Sequence, residues 1–192
     1  MNVFVAWASG AIGRPLVAEL VRRGHAVTGM TRSEAGAEAL TALGASVARV
    51  SAFDAPALER ALREARIEVV VDELTSLSKS PTDMAGAAEG DRRLEGGGNL
   101  LAAARACGVR RYVQQASGFF LRPGPGLGDE AEGLAVDASP RVAASARAYT
   151  ELEARLLYEV LGRDAFFDPK NPDREARAPE CKQPMVTRPL KA

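Results

Sequence analysis

The chain has 192 residues, with 25 Lys+Arg against 25 Asp+Glu, 46% hydrophobic residues and 26% charged ones. That length and composition suit one globular domain with a real core. The balanced charge argues against a nucleic-acid or anionic-membrane binder, either of which carries a basic excess. No apolar run approaches the roughly 18 residues needed to span a bilayer. The opening Val3-Phe4-Val5-Ala6 run is strand-like and lacks a basic segment, so it does not read as a signal peptide. Cys107 and Cys181 are distant in sequence and have no flanking His, which suggests reduced thiols in a cytoplasmic protein, with neither disulfide framework nor metal site.

Taken in order, Val3 to Trp7 is a short apolar strand. Ile12 to Arg23 places Ile12, Leu16, Val17, Leu20 and Val21 on one helical stripe, and Gly24 ends it. Ala26 to Met30 is the second strand. Ser33 caps a helix from Glu34 to Leu43, closed by Gly44. The third strand is Ser46 to Val50. Asp54 then caps Ala55 to Ala65, with Pro56 tolerated in the first turn. Ile67 to Val71 is a β-branched run of the kind buried on both faces of a parallel sheet. A helix is expected over roughly Ala85 to Ala106, but it contains Gly96-Gly97-Gly98. Each glycine costs about 0.8–1 kcal/mol against Ala in a helix interior, so the run either breaks the helix or permits close packing on the sheet. Arg111 to Ala116 is the fifth strand. Phe119 to Ser139 reads as a long loop, and Arg141 to Leu161 as a helix with Tyr149, Leu152, Leu156, Leu157 and Val160 on its apolar face.

Strands alternating with helices imply right-handed βαβ units and an α/β fold with a doubly wound parallel sheet. Ligands then bind outside the carboxyl ends of the strands. Residues 168–192 hold five of the eleven prolines and few large aliphatics, so an irregular tail is expected beyond a domain of residues 1–167.

The first strand–helix junction reads Val5-Ala6-Trp7-Ala8-Ser9-Gly10-Ala11-Ile12-Gly13. It resembles the GxxGxxG turn of the NAD-dependent epimerase/dehydratase family, the extended and atypical short-chain dehydrogenase/reductases. Gly10 and Gly13 match the second and third glycines. Arg22-Arg23-Gly24-His25-Ala26-Val27-Thr28, Asn99-Leu100-Leu101-Ala102-Ala103-Ala104 and Gly108-Val109-Arg110-Arg111-Tyr112-Val113 are also similar to family segments. The resemblance covers residues 1–161 and implies a Rossmann-type NAD(P)-binding fold. Its cofactor-binding set here would be Ser9, Gly10, Ala11, Ile12, Gly13, Arg32 and Leu74. Trp7 stands where the family has its first glycine. Either the large side chain strains the turn and blocks the pyrophosphate, or the indole points into the core and leaves the turn usable.

In NAD-preferring relatives an acidic residue ends the second strand. Here the stretch is Met30-Thr31-Arg32-Ser33, and Arg32 can pair with a 2′-phosphate, which favours NADP over NAD. The alternative for Arg32 is a solvated loop charge. Ser51 stands where the family's adenine-side acid follows the third strand. The resemblance implies a catalytic Ser, Tyr and Lys. Ser117 and Tyr149 occupy the first two places, as a capping serine and a core tyrosine could equally do. Glu153 stands four residues after Tyr149 in place of the lysine, where a carboxylate opposes phenolate formation. Asp72 and Glu73 read as a solvated strand end, with acid–base chemistry as the alternative. His25 lies at the edge opposite the expected site.

No later segment matches the family's substrate lobe, so a truncated lobe and an open substrate side are expected. Three functions stay open: an NAD(P)-dependent oxidoreductase or epimerase-like protein acting on a small carbonyl or hydroxyl compound; a non-catalytic nucleotide-binding regulator; and a degenerate copy without cofactor. The expected partner is a small-molecule substrate, with no nucleic acid and no membrane, and related proteins suggest a homodimer through the Arg141–Leu161 helix.

Overall fold

A computed structural model describes residues 1–74, 86–116, 122 and 139–161. Ten elements follow in chain order: β1 (Asn2–Ala6), α1 (Gly13–Arg22), β2 (Ala26–Met30), α2 (Glu34–Ala42), β3 (Ser46–Ala48), α3 (Ala55–Glu64), β4 (Val69–Asp72), α4 (Gly86–Ala106), β5 (Arg111–Gln114) and α5 (Pro140–Leu161). The expected loop over residues 119–138, a sixth strand near residues 165–167 and the 168–192 tail lie outside the described residues.

The strands form one parallel sheet in the order β3-β2-β1-β4-β5. The chain winds outward from β1 to β3, then returns to place β4 on the other side of β1. The connections α1 and α2 therefore lie on one face and α3 and α4 on the other, and a crevice opens at the carboxyl ends of β1 and β4, where the winding reverses. Strand alternation divides the core. Phe4 and Ala6 face α3 and α4 in a layer with Leu58, Leu62, Val70, Leu100 and Tyr112. Val3 and Val5 face α1 and α2 in a layer with Val17, Val27, Leu40 and Val69. Phe4, Leu58 and Leu62 are fully buried, each contributing about 1.5–3 kcal/mol of transfer free energy.

Local chemistry sets the ends of the elements. Ser33 Oγ accepts from Gly36 N at 3.1 Å, and Asp54 Oδ1 accepts from Ala57 N at 3.0 Å, so both expected caps form. Gly24 takes φ +78°, and His25 N donates to the Leu20 carbonyl at 3.1 Å, closing α1 as a left-handed glycine cap does. Ile67 and Glu68 precede β4 rather than begin it. Arg66 adopts φ +49° in the turn before them, and pairing with β1 starts at Val69.

The helix α4 runs unbroken through Gly96-Gly97-Gly98. These glycines admit close neighbours, and α5 and the β3–α3 connection supply them as well as the sheet. A Cβ on Gly96 would lie 3.1 Å from the Ala52 side chain; on Gly97, 3.1 Å from Leu152 and 3.6 Å from Asp72; on Gly98, 2.9 Å from Arg155. Gly97→Val forces branched carbons between α4 and α5 and is expected to destabilise by about 1–3 kcal/mol, measured as a lowered urea midpoint. Ala106→Leu at an exposed position of the same helix should stay within about 0.5 kcal/mol of wild type.

Candidate functional site

The crevice begins at the turn after β1. Trp7 takes φ +56°, the left-handed conformation that a glycine adopts without penalty. Its carbonyl accepts from Gly10 N at 3.0 Å, which tightens the turn. Gly13 closes the helix onto the strand: a Cβ there would lie 2.5 Å from the Trp7 carbonyl oxygen and 2.8 Å from Ala8 Cα. Ile12, the residue before α1, supplies no side-chain cap. The amides of Ala11, Ile12 and Gly13 donate to no acceptor among the described residues. A helix start with open amides is suited to a phosphate.

The indole does not turn into the core. Trp7 is 40% exposed, and a Cβ on Gly10 would lie 2.3 Å from its Cδ1 and 2.6 Å from its Nε1. The ring therefore rests against Gly10, because the left-handed backbone carries the side chain to the outside of the turn. Ala11 and Ile12 stay exposed beside it, so phosphate-binding amides persist while the approach over Gly10 is narrowed. On this geometry the residues present fit the diphosphate of a dinucleotide at the helix start.

Next to the turn is a cavity of about 330 Å³, lined by Trp7, Ser9, Thr31, Arg32, Ser33, Phe53, Leu74 and Arg93 among others. Ser9 Oγ and Thr31 Oγ1, 3.0 Å apart, tie the glycine turn to the end of β2. Arg32 is exposed and makes no ion pair among the described residues. Arg32 is one of the residues that line the cavity. Ser51 Oγ accepts from Phe53 N at 3.2 Å, so it shapes the β3–α3 turn. The structure thus gathers Ser9, Arg32 and Leu74 around one cavity beside Gly10–Gly13.

Asp72 corrects the expectation of a solvated strand end. It is 2% exposed. Its Oδ2 accepts from the Tyr112 hydroxyl at 2.9 Å, and its Oδ1 accepts from Leu74 N at 2.9 Å. The reason is topological: β4 lies between β1 and β5, so a side chain at its end is covered by α4 as well. Burial raises the Asp72 carboxyl above its usual range, against the lowering effect of its two donors and of Arg93. Glu73, half-buried, is raised first by desolvation and then by the neighbouring Asp72. Tyr112 is held well above the ordinary phenol range by burial and by the Asp72 carboxylate.

Arg93, 8% exposed, was not singled out by the sequence. It donates to the Leu74 and Gln115 carbonyls, the latter at 2.9 Å. Those residues lie just past β4 and β5, so one guanidinium bridges the ends of adjacent strands. Its Cζ lies 4.2 Å from the centroid of the Tyr149 ring, a cation–π distance. Nothing in the helical pattern marks Arg93; only its packing against the sheet ends does. Tyr149 is 8% exposed on α5, with its ring against Arg93, whereas desolvation raises the Glu153 carboxyl four residues later. Ser117 lies outside the described residues. His25 sits before β2, at the amino-terminal edge of the sheet.

Because the folded state raises the Asp72 carboxyl, its contribution to stability is full below the ordinary carboxylate range and is lost as pH rises through the raised value. Asp72→Asn should therefore gain stability relative to wild type as pH increases from about 4 to about 7, with a limiting slope of about 1.4 kcal/mol for each step of one in pH. Urea unfolding of both proteins at each pH checks this; parallel pH curves would contradict it.

The sequence model of a family described as NAD(P)H-binding matches residues 8–173. A curated relative, 3-diazoavenalumate denitrifying reductase from a Streptomyces species, is 42% identical over 157 residues, covering 80% of this chain and 50% of that protein. Among solved structures, UDP-glucose 4-epimerase from Thermus thermophilus in complex with NAD is similar at TM-score 0.68 and 25% identity, over 82% of this chain and 50% of the epimerase. A short-chain dehydrogenase/reductase superfamily protein from Agrobacterium tumefaciens with bound NAD gives TM-score 0.66 and 25% identity, over 84% of this chain and 46% of its own. The chain thus spans about half the length of these relatives. No helix among the described residues is long and apolar enough to cross a membrane. Since the family match takes in the turn, the crevice and nearly all of the described fold, the chain belongs to the NAD(P)H-binding family, on the architecture of the short-chain dehydrogenases and epimerases.

Proposed function

We propose that this chain binds NADP(H) in preference to NAD(H) and serves an oxidoreductase or epimerase-like reaction on a small carbonyl or hydroxyl compound. The observation that carries this reading is the pairing of open amides at Ala11–Gly13 with Arg32 among the residues that line the adjoining cavity. The amides suit the diphosphate and Arg32 a 2′-phosphate, while Ser9 and Thr31 order the chain between them. The nicotinamide, when bound, supplies or accepts the hydride. Tyr149, with Ser117, then passes the proton at the substrate oxygen. Tyr112 is unsuited to that task because its proton is committed to Asp72. The named reductase supports the reading from a different direction, as a relative over half its length.

A second reading, a nucleotide-binding protein without turnover, is favoured by the Trp7 ring against Gly10 and by Glu153 in place of a lysine. A homodimer through α5 would bring together a face that carries Arg147, Glu151 and Arg155, so its contact would be built on ion pairs.

Titration with NADPH and NADH, followed by nicotinamide fluorescence, tests the first reading. Arg32→Ala should weaken NADPH binding by about tenfold, the equivalent of about 1.4 kcal/mol, and leave NADH within about twofold. Equal losses for the two would remove the assigned role of Arg32. Trp7→Gly should tighten both cofactors, since it clears the space over Gly10; unchanged affinity by calorimetry would show that the ring does not obstruct the diphosphate. Binding of neither cofactor to wild type or to Trp7→Gly would overturn the reading.

A further inference from the structure

Two buried tyrosines, one against Asp72 and one against Arg93, have opposite electrostatic settings. Tyr112 donates to Asp72 Oδ2 at 2.9 Å, so a carboxyl group faces its phenol. Tyr149 has the Arg93 guanidinium 4.2 Å from its ring centroid. That guanidinium is anchored on two neutral acceptors, the Leu74 and Gln115 carbonyls. Among the described residues no carboxylate lies within ion-pair distance of it, although Asp72 and Glu73 are near enough to feel its charge. Its Nε is buried without an acceptor.

We infer that Arg93 is the positioning cation of Tyr149, stabilising its phenolate in the place where Glu153 offers no positive charge. This rests on the reading of Tyr149 as the proton-transferring group. A cation over the ring favours the form whose negative charge spreads into that ring; burial by itself raises a phenol, but it also strengthens this attraction by excluding water, and at a cation–π distance the attraction outweighs it. Other charged or titratable groups among the described residues of β4, β5 and α5 are set as follows. From β4, Asp72 and Glu73 are both shifted toward their neutral forms by burial. From β5, Tyr112 is a neutral donor to Asp72. On α5 itself, desolvation shifts the Glu153 carboxyl toward its neutral form, and Arg155 is engaged by Glu151 at 3.0 Å. Arg93 also borders the nucleotide cavity, together with Leu74 and Gly96. One fixed guanidinium therefore touches both the cofactor pocket and the tyrosine.

The test uses the full chain labelled with ¹³Cζ-tyrosine, without cofactor or substrate, titrated by NMR from about pH 6 to about pH 12. Tyr149 is identified by the resonance lost in Tyr149→Phe, and Tyr112 by the one lost in Tyr112→Phe. In wild type, Tyr149 should ionise below the ordinary phenol value of about 10 and well below Tyr112. Arg93→Met should raise the Tyr149 midpoint by about one pH unit or more, and Arg93→Lys should recover part of that rise. A Tyr149 midpoint in wild type at or above that of Tyr112 overturns the inference, even if Arg93→Met fails to fold. So does an unmoved Tyr149 midpoint in folded Arg93→Met. NADPH calorimetry on the same wild-type sample keeps the two readings apart. Binding with an unshifted Tyr149 defeats the role of Arg93 alone; a shifted Tyr149 without NADPH binding upholds that role and defeats the cofactor assignment.

Discussion

The contact between Gly13 and the backbone of Trp7 and Ala8 is the constraint on which the site depends. A Cβ at Gly13 would fall 2.5 Å from the Trp7 carbonyl oxygen, so only glycine lets α1 start directly off the end of β1. The start of α1 is thereby set at the carboxyl edge of the sheet, with its first amides open. Moving α1 outward by even a side chain's width would separate those amides from the cavity that Arg32 and Leu74 line. The parallel order β3-β2-β1-β4-β5 completes the arrangement, because β4 returns beside β1 and brings Asp72 and Leu74 to the same edge.

Trp7 shows how a site can keep its backbone while changing its surface. The left-handed turn is retained at φ +56°, although a non-glycine residue there costs roughly 1–2 kcal/mol. The same conformation that preserves the turn directs the indole outward, onto Gly10. An aromatic wall thus replaces open space, and it shares the cavity with Phe53, another exposed aromatic residue. The helix amides are untouched by this change, since they belong to residues beyond the ring.

Polar burial at the ends of β4 and β5 gives the crevice its electrostatic character. Asp72, Tyr112 and Arg93 sit where apolar residues would pack without desolvation cost, so each requires partners. Asp72 finds them in Tyr112 and the Leu74 amide, and Arg93 in two carbonyls and the Tyr149 ring. Among the described residues, Glu73 Oε2, Arg93 Nε, Gln114 Nε2 and Gln115 Oε1 are buried without a hydrogen-bond partner, a concentration of unmet polar capacity at the ends of β4 and β5. The three glycines of α4 belong to the same design: without side chains, they let α4 approach Ala52, Leu152 and Asp72 closely enough to seat Arg93.

Sequence alone determined the alternation of strands and helices, the caps at Ser33 and Asp54, and the glycine turn that leads into α1. These are local matters: residue period, a capping oxygen and a backbone that must bend are all written in neighbouring residues. The Gly10–Gly13 turn, and Arg32 close to it at the end of β2, were legible for the same reason. Tertiary structure decided what depends on residues distant in the chain. Asp72 looked solvated because nothing beside it in sequence reveals that β5 and α4 cover it. Arg93 looked like any other charge on a helix, since its partners Leu74, Gln115 and Tyr149 lie on three other segments. The direction of the Trp7 ring followed from a single dihedral that no pattern encodes. Burial and long-range pairing set the charge state of a side chain, and both exist only once the sheet has closed.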